Sequence, residues 1–469
     1  MKAKAKLIAV TVSLSVACVF AEDWPQYFGP KRDSTSTEKG LLRTWPKEGP
    51  KVLWTAPVGI GYGSPAISGG RVYLLDRDDK VGDTLRCLDL SNGKELWNFG
   101  YVAPGKFHHP GSRTTPTVDG NHVYTNGPFG DLYCINTSTH KPVWHKNIWT
   151  DFGGGSDIFV FPTRGQRPAG RPAGPPPAGG APTGGPPPFG GITPANELPT
   201  WGTTQNPFIY RNLLIVASQT SQAGVVAYDK LTGELKWKSA VVSGRAGYVT
   251  PSIVKVGGND HLVMIMASIG MGRNTKGGSV IGLDPLSGRV LWTYTGWQCH
   301  LPVAHAVDAG EGRMLITGGY DSAGTVLIKV QRKEDGSYEV TELFKNANFG
   351  AHTQPPILFK DHFYAQCTTN YRNDGLVCMG MDGTVKWKTG EEPLFNKGGS
   401  ILAEGLLLST DGNKTLYLIE PDSSGFKPLA SAELLEQGEN WAPLALVNGR
   451  LLIRDQKNLK CVEVAQHSR

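Results

Sequence analysis

An Asp, a Gly four residues later and a Trp four residues after that recur along this chain, each time just after an alternating apolar run. The frame is complete at Asp89…Gly93…Trp97, Asp229…Gly233…Trp237 and Asp284…Gly288…Trp292, and degraded at Asn136…His140…Trp144 and Gly383…Trp387. Gly or Asn beside a polar residue makes a tight turn between strands. The Asp carboxylate is suited to bonding backbone amides of that turn, and the Trp lands on the returning strand as a large apolar anchor. A supersecondary unit repeated with a period near forty residues restricts the fold to a propeller or a solenoid.

The repeat can be counted. Between Ser64 and about residue 433 the chain holds seven units, opening at Ser64-Pro65, Thr115-Pro116, Asn206-Pro207, Thr250-Pro251, about 302, Gln354-Pro355 and about 399. The fifth and seventh have lost the Asp-Gly-Trp frame but keep apolar strands such as Met314-Leu315-Ile316 and Leu406-Leu407-Leu408. Lys51-Val52-Leu53-Trp54 resembles a last strand with nothing before it, and the C-terminal stretch from Asn440 to Val464 supplies three strands with nothing after them. Joining the two closes a ring and removes both open sheet edges. The expectation is an all-β, eight-bladed β-propeller of four-stranded antiparallel blades, closed by the N-terminal strand pairing with the C-terminal blade.

Three further segments stand apart. Residues 1–21 read as a secretory signal, with Lys2, Lys4 and Lys6 ahead of the apolar run Leu7 to Phe20 and cleavage after Ala21. The location expected is therefore periplasmic or extracellular. A lipid anchor at Cys18 is not expected, because Ser15 stands where Leu is usual. Residues 22–50 read as an extended prelude on the outside of the fold, ahead of a propeller spanning 51–469. Residues 153–199 are Gly/Pro-rich and read as a disordered insert between the second and third blades. No other stretch is long and apolar enough to span a bilayer. The net charge of +6 falls to about +3 without the leader lysines, and only 19% of residues are charged, so the chain is not a polybasic nucleic-acid binder.

Four of the cysteines, Cys87, Cys134, Cys378 and Cys461, occupy one phase of the repeat where other units carry Ala227 or Gly282. A small buried side chain is what that position requires. No Cys-x-x-Cys and no adjacent pair is present, so metal, redox and haem-attachment readings have no support.

The stretch Ala227-Tyr228-Asp229-Lys230-Leu231-Thr232-Gly233-Glu234-Leu235-Lys236-Trp237 resembles the tryptophan-docking repeat of PQQ-type propellers, and the resemblance runs over nearly the whole mature chain. Family members share the fold but not one function. Some are quinoprotein alcohol dehydrogenases; others are non-catalytic, such as the lipoprotein propeller of the outer-membrane β-barrel assembly machinery. The dehydrogenase resemblance implies an adjacent-cysteine disulfide over the quinone, a calcium held by acidic and amide side chains, and an Asp base. This chain has no such cysteine pair, and its loops toward the channel carry few carboxylates. No catalytic residue and no metal ligand is therefore assigned. The leading expectation is a binding or scaffold propeller for an envelope protein or a glycan. The alternative is a PQQ- and calcium-dependent oxidoreductase.

The loops joining one blade to the next are polar at one phase of the repeat. They place His109, Arg113, Arg245, Tyr248, His300, His352, Lys397 and Trp441 on one expected rim, beside Tyr62, His108, Gln205, Gln298, Gln354 and Asn440. Cations and imidazoles outnumber acids there, which suits an anionic or hydroxyl-rich ligand with Trp441 or Tyr248 as a stacking face. For any single one of these residues, bonding carbonyls of the neighbouring blade is the default role.

Overall fold

The computed structural model describes residues 22–107, 109–155, 198–245, 247–269, 275–320 and 323–466. The expected signal segment, Cys18, His108 and residues 156–197 of the Gly/Pro-rich insert lie outside them. The described ends of that insert are packed rather than loose. Leu198 is buried, and the Trp149 indole N–H donates to the carbonyl of Gly155 at 2.8 Å.

Eight antiparallel sheets follow one another along the chain: blade 1 (66–102), blade 2 (117–147), blade 3 (208–238), blade 4 (252–294), blade 5 (307–346), blade 6 (357–388), blade 7 (400–433) and blade 8 (445–463). Blade 8 contributes three strands of its own, and the strand Val52–Pro57 adds the fourth. Trp54 faces Cys461 and Thr55 faces Lys460 across that pairing. The ring is closed as the sequence predicts, and no blade is left with an unpaired edge at the seam.

What fixes one blade against the next is an indole on a left-handed turn. In each complete repeat the carboxylate of the turn Asp accepts amides two and three residues on, as Asp229 does from Leu231 and Thr232, both at 3.0 Å. This bends the chain so that the following Gly takes a positive φ: +72° at Gly93, +71° at Gly233 and +71° at Gly288. A Cβ on Gly93 would sit 2.5 Å from the Trp54 ring, one on Gly233 2.8 Å from Trp144 and one on Gly288 2.3 Å from Trp237. Each of these rings belongs to the preceding blade. Glycine is therefore needed twice over, for its backbone conformation and for the bare surface it offers. Three of the docked indoles also donate across the joint, Trp54 to the carbonyl of Leu90 at 2.8 Å, Trp144 to Lys230 at 3.0 Å and Trp387 to Asp422 at 2.7 Å.

The degraded copies use the same contact with other side chains. His140 holds φ +58° in the glycine position of blade 2 and stacks on Trp97 with ring centroids 4.6 Å apart. In blade 5, Phe344 replaces the Trp and rests on Gly383 of blade 6. The small-residue phase has its reason in the same geometry. Cys87, Cys134, Ala227, Gly282, Cys378 and Cys461 lie directly across their strand pairs from Trp97, Trp144, Trp237, Trp292, Trp387 and Trp54. All six cysteines among the described residues are buried free thiols.

The N-terminal prelude departs from expectation. It does not lie on the outside. Trp24, at 1% exposure, is among the most buried side chains in the chain, and its carbonyl accepts from Ile67 in the inner strand of blade 1. The carbonyl of Pro25 accepts from Val118 in blade 2. Arg32 donates to Ile209 in blade 3 at 2.8 Å, while the carbonyl of Ser34 accepts from Leu402 in blade 7. Blades 3 and 7 are diametrically opposite in an eight-membered ring, so the segment crosses the central channel. Thr35–Ser36 then adds a parallel fifth strand to blade 7. Asp23 bonds the turn between the first two strands of blade 1 through Ser68 and Gly69, which places the crossing at the end of the channel away from the inter-blade loops. Further on, Trp45 and Gly49 pack by Ala432 and Leu434, covering the joint where blade 7 brings no indole. An aromatic-rich segment with Trp24, Tyr27 and Phe28 gains more by burial inside the channel than by lying on the surface.

Truncating the seam indole, Trp54→Ala, removes a buried ring and its cross-blade hydrogen bond. The expected loss is about 3–5 kcal/mol, read as a lower urea midpoint with an unchanged slope. The equivalent change at Tyr371, an exposed aromatic away from the joints, is expected to shift the midpoint little.

Candidate site at the loop end of the channel

Because each blade runs down, up, down and up, its second-to-third strand loop ends on the same face as the loop leading to the next blade. These two loop sets enclose a cavity of about 1030 Å³. Tyr27 of the crossing segment also lines it, so the cavity has a floor and opens at one mouth.

Seven of the eight rim residues expected from sequence meet in this cavity: His109, Arg113, Tyr248, His300, His352, Lys397 and Trp441. Arg245 is not among its lining residues; its backbone instead bridges to Ala267. Gln205, Gln298 and Asn440 do not line it either. Gln205 accepts the amide of Ala217 at 2.8 Å, Gln298 clamps Gly278, and Asn440 donates to the carbonyl of Glu436 at 2.7 Å. All three are held within the scaffold, though the Gln205 side chain takes an amide of its own blade rather than a carbonyl of the neighbouring one.

The aromatic wall is continuous. Tyr62 and Trp441 lie 5.4 Å apart between ring centroids, Trp201 and Tyr248 5.2 Å, and Tyr320 meets His352 edge-on at 4.2 Å. Trp201, Tyr320, Asn370 and Tyr371 were not read as rim residues. Trp201 follows the Gly/Pro-rich insert immediately, and the other three sit in second-to-third strand loops. The alternation of strand direction within a blade is the signal that would have found them.

The charges are asymmetric. The Arg113 guanidinium donates to the carbonyls of Gly111 at 2.6 Å and of His109, and burial pulls its pKa down to about 10. The Lys397 ammonium stands 4.7 Å from the centroid of the Trp441 ring, a cation–π contact worth about 0.5–2 kcal/mol. Burial depresses its pKa, against the opposing pull of Glu439. Lys397 also holds φ +68°, a conformation that costs an L-residue roughly 1–2 kcal/mol. Two carboxylates line the cavity. Asp411 caps its own turn through the amides of Asn413 and Thr415, and Glu439 accepts from Tyr62 at 3.0 Å with His109 3.4 Å away. His352 is 2% exposed with no hydrogen-bond partner on Nδ1. Burial, reinforced by the nearby Lys397 charge, pushes its pKa down to about 3.

This lining provides cationic and aromatic recognition. Among the described residues no three His, Cys, Asp or Glu side chains converge to hold a metal, while the amides of Asn396 and Asn413 line the cavity beside Asp411. Asp411 and Glu439, the acids present, are already committed to the contacts above. Both carboxylates that a calcium could draw on in this lining are thus engaged within the protein.

A PQQ-repeat family model described as outer membrane protein assembly factor BamB matches residues 32–173 and 190–300, more than half of the chain. The chain belongs to this PQQ-repeat family. BamB of Escherichia coli K12 is 29% identical over 108 residues, a stretch that is 21% of this chain and 26% of that relative's length. Among solved structures, BamB from Moraxella catarrhalis superposes with a TM-score of 0.52 at 12% identity, over 88% of this chain and 99% of that one. Quinohemoprotein alcohol dehydrogenase from Comamonas testosteroni gives 0.56 at 12% identity, over 95% of this chain and 81% of that one. At such identities the likeness establishes the propeller and nothing about its chemistry.

The depressed pKa of His352 has a consequence for stability. The unfolded chain takes up this proton near its ordinary pKa of about 6.5, well before the folded one does. The contribution is therefore complete above that pH and is lost as pH falls toward 3. His305, held down to about 4 by burial, acts with the same sign. Between pH 7 and pH 4.5, His352 is expected to account for a loss on the order of 2 kcal/mol. Chemical denaturation at the two pH values should show a correspondingly smaller loss in His352→Gln than in the native chain.

Proposed function

We propose that this protein is a secreted, envelope-facing propeller that binds a protein or glycan partner at the mouth of the blind cavity and does not transform it. One observation carries the reading. Two cations, the half-buried Arg113 and the buried Lys397, stand beside indole and phenol faces with their charges met by carbonyls and a ring rather than by carboxylates. That is a recognition surface for an anionic or hydroxyl-rich group. The name of the relatives, outer membrane protein assembly factor, supports a role in holding a partner within the cell envelope. The basic and apolar composition of residues 1–21 supports export with cleavage after Ala21.

A second reading has an observation in its favour. A cavity of about 1030 Å³ with a cationic wall has room for a tricarboxylated quinone such as PQQ. The engagement of both lining carboxylates, Asp411 and Glu439, within the protein weighs against a calcium beside it.

Isothermal titration with PQQ and calcium, paired with dye-linked alcohol oxidation, separates the two readings. The binding reading expects no calcium-dependent heat and no turnover, together with saturable quenching of tryptophan fluorescence by an envelope saccharide or peptide that is lost in Trp441→Ala. Calcium-dependent PQQ binding with alcohol oxidation would overturn it.

A further inference from the structure

We propose that the cavity takes the end of a carboxylated saccharide, and that Lys397 is its anion-binding residue, leaving the face of Trp441 to meet the carboxylate. This deepens the binding reading above and rests on it. Lys397 is buried, and its ammonium has no carboxylate within ion-pair distance among the described residues; its partner is the Trp441 ring. Glu439, the acid facing it, is held by Tyr62 and flanked by His109. Arg113 is likewise satisfied by carbonyls that do not neutralise it. Arg113 and Lys397 balance Asp411 and Glu439 in formal charge, but both carboxylates are engaged within the protein and Lys397 is paired with neither, so an anion reaching Lys397 is attracted more strongly than at an open surface. A cation resting on an indole covers the face that a ligand ring needs. An arriving carboxylate draws that cation off and uncovers the ring in one movement, because a charge-assisted hydrogen bond outweighs the cation–π contact.

The shape of the wall selects the kind of ring. Tyr62 and Trp441 are inclined at 30°, Trp201 and Tyr248 at 40°, and Tyr320 and His352 at 83°. These neighbouring rings pack against one another at an angle rather than in parallel. Single faces at an angle suit a puckered saccharide ring, which stacks on one side and presents hydroxyls on the other. Exposed amides at the lip, Asn370 and Gln437, are placed to bond those hydroxyls. His352 offers an unsatisfied buried nitrogen deeper in the wall. Because Tyr27 of the crossing segment lies beneath, a polymer does not thread through. A chain end enters and stops.

The test is titration calorimetry with di- and trigalacturonate, with their methyl esters, and with neutral galactobiose. The acids are expected to bind roughly tenfold more tightly than the esters at low salt, as one charge-assisted contact predicts, and the advantage is expected to shrink at high salt. Lys397→Met should bring the acids down to ester affinity while leaving the esters within about twofold, Lys397→Arg should retain most of the preference, and Trp441→Ala should weaken both. Melting curves confirm that each variant is folded. Esters binding as well as acids, or an acid preference that survives Lys397→Met, would overturn the inference while leaving the binding reading intact. Absence of any saccharide binding overturns it as well, and if PQQ with calcium then binds and supports turnover, the binding reading falls with it.

Discussion

The contact on which the rest depends is an indole laid on a turn that only a bare or left-handed residue can make. The Asp carboxylate bends the turn, the glycine at φ near +71° exposes its backbone, and the ring of the preceding blade occupies the space a Cβ would fill. At three joints the indole N–H of Trp54, Trp144 or Trp387 also reaches a carbonyl of the neighbouring blade. There a large apolar contact is combined with one directed bond, so the angle between blades is set as well as the distance. The eight blades return the chain to its start only if the last sheet is completed by the first strand. The pairing of Trp54 with Cys461 does this.

Closure in turn creates the interior that the N-terminal segment fills. A ring of eight four-stranded sheets leaves a channel down its centre, lined by the short inner strands. Residues 23–36 cross it from blade to blade, using backbone bonds to inner strands that have no neighbour on that side. The crossing converts a through-channel into a recess with Tyr27 at its base. Two sets of loops, both delivered to one face by the alternation of strand direction, give that recess its rings and charges. The cavity thus depends on the seam, the crossing segment and the loops together, and its lining comes from parts of the chain hundreds of residues apart.

Much of this was legible in the residues. The blade count, the split blade and the small residue opposite each Trp follow from the spacing of Asp, Gly and Trp, because that spacing is a local geometric requirement. Seven rim residues followed from their common phase. The path of residues 22–50 did not, since burial of Trp24 depends on a channel that exists only after closure, and nothing in a short aromatic stretch distinguishes an inner lining from an outer one. Tyr320 is a second case, because the inter-blade loops alone do not include the second loop set that strand alternation brings to the same rim, whereas Trp201 sits in an inter-blade connection where the Gly/Pro-rich insert breaks the phase of the repeat. Arg245, at the right phase but outside the cavity lining, shows that phase places a backbone on a face without deciding where its side chain goes.

Hydrogen exchange followed by mass spectrometry on peptides covering 22–36 and 51–57 tests the closed, floored ring most directly. Amides of Val52, Trp54 and Ala56 should exchange as slowly as those of Leu451–Ile453 in the same blade, and the crossing segment should be protected with them. Rapid exchange at 51–57 while the other blades stay protected would mean that the seam is open. Rapid exchange confined to 22–36 would mean that the cavity has no floor.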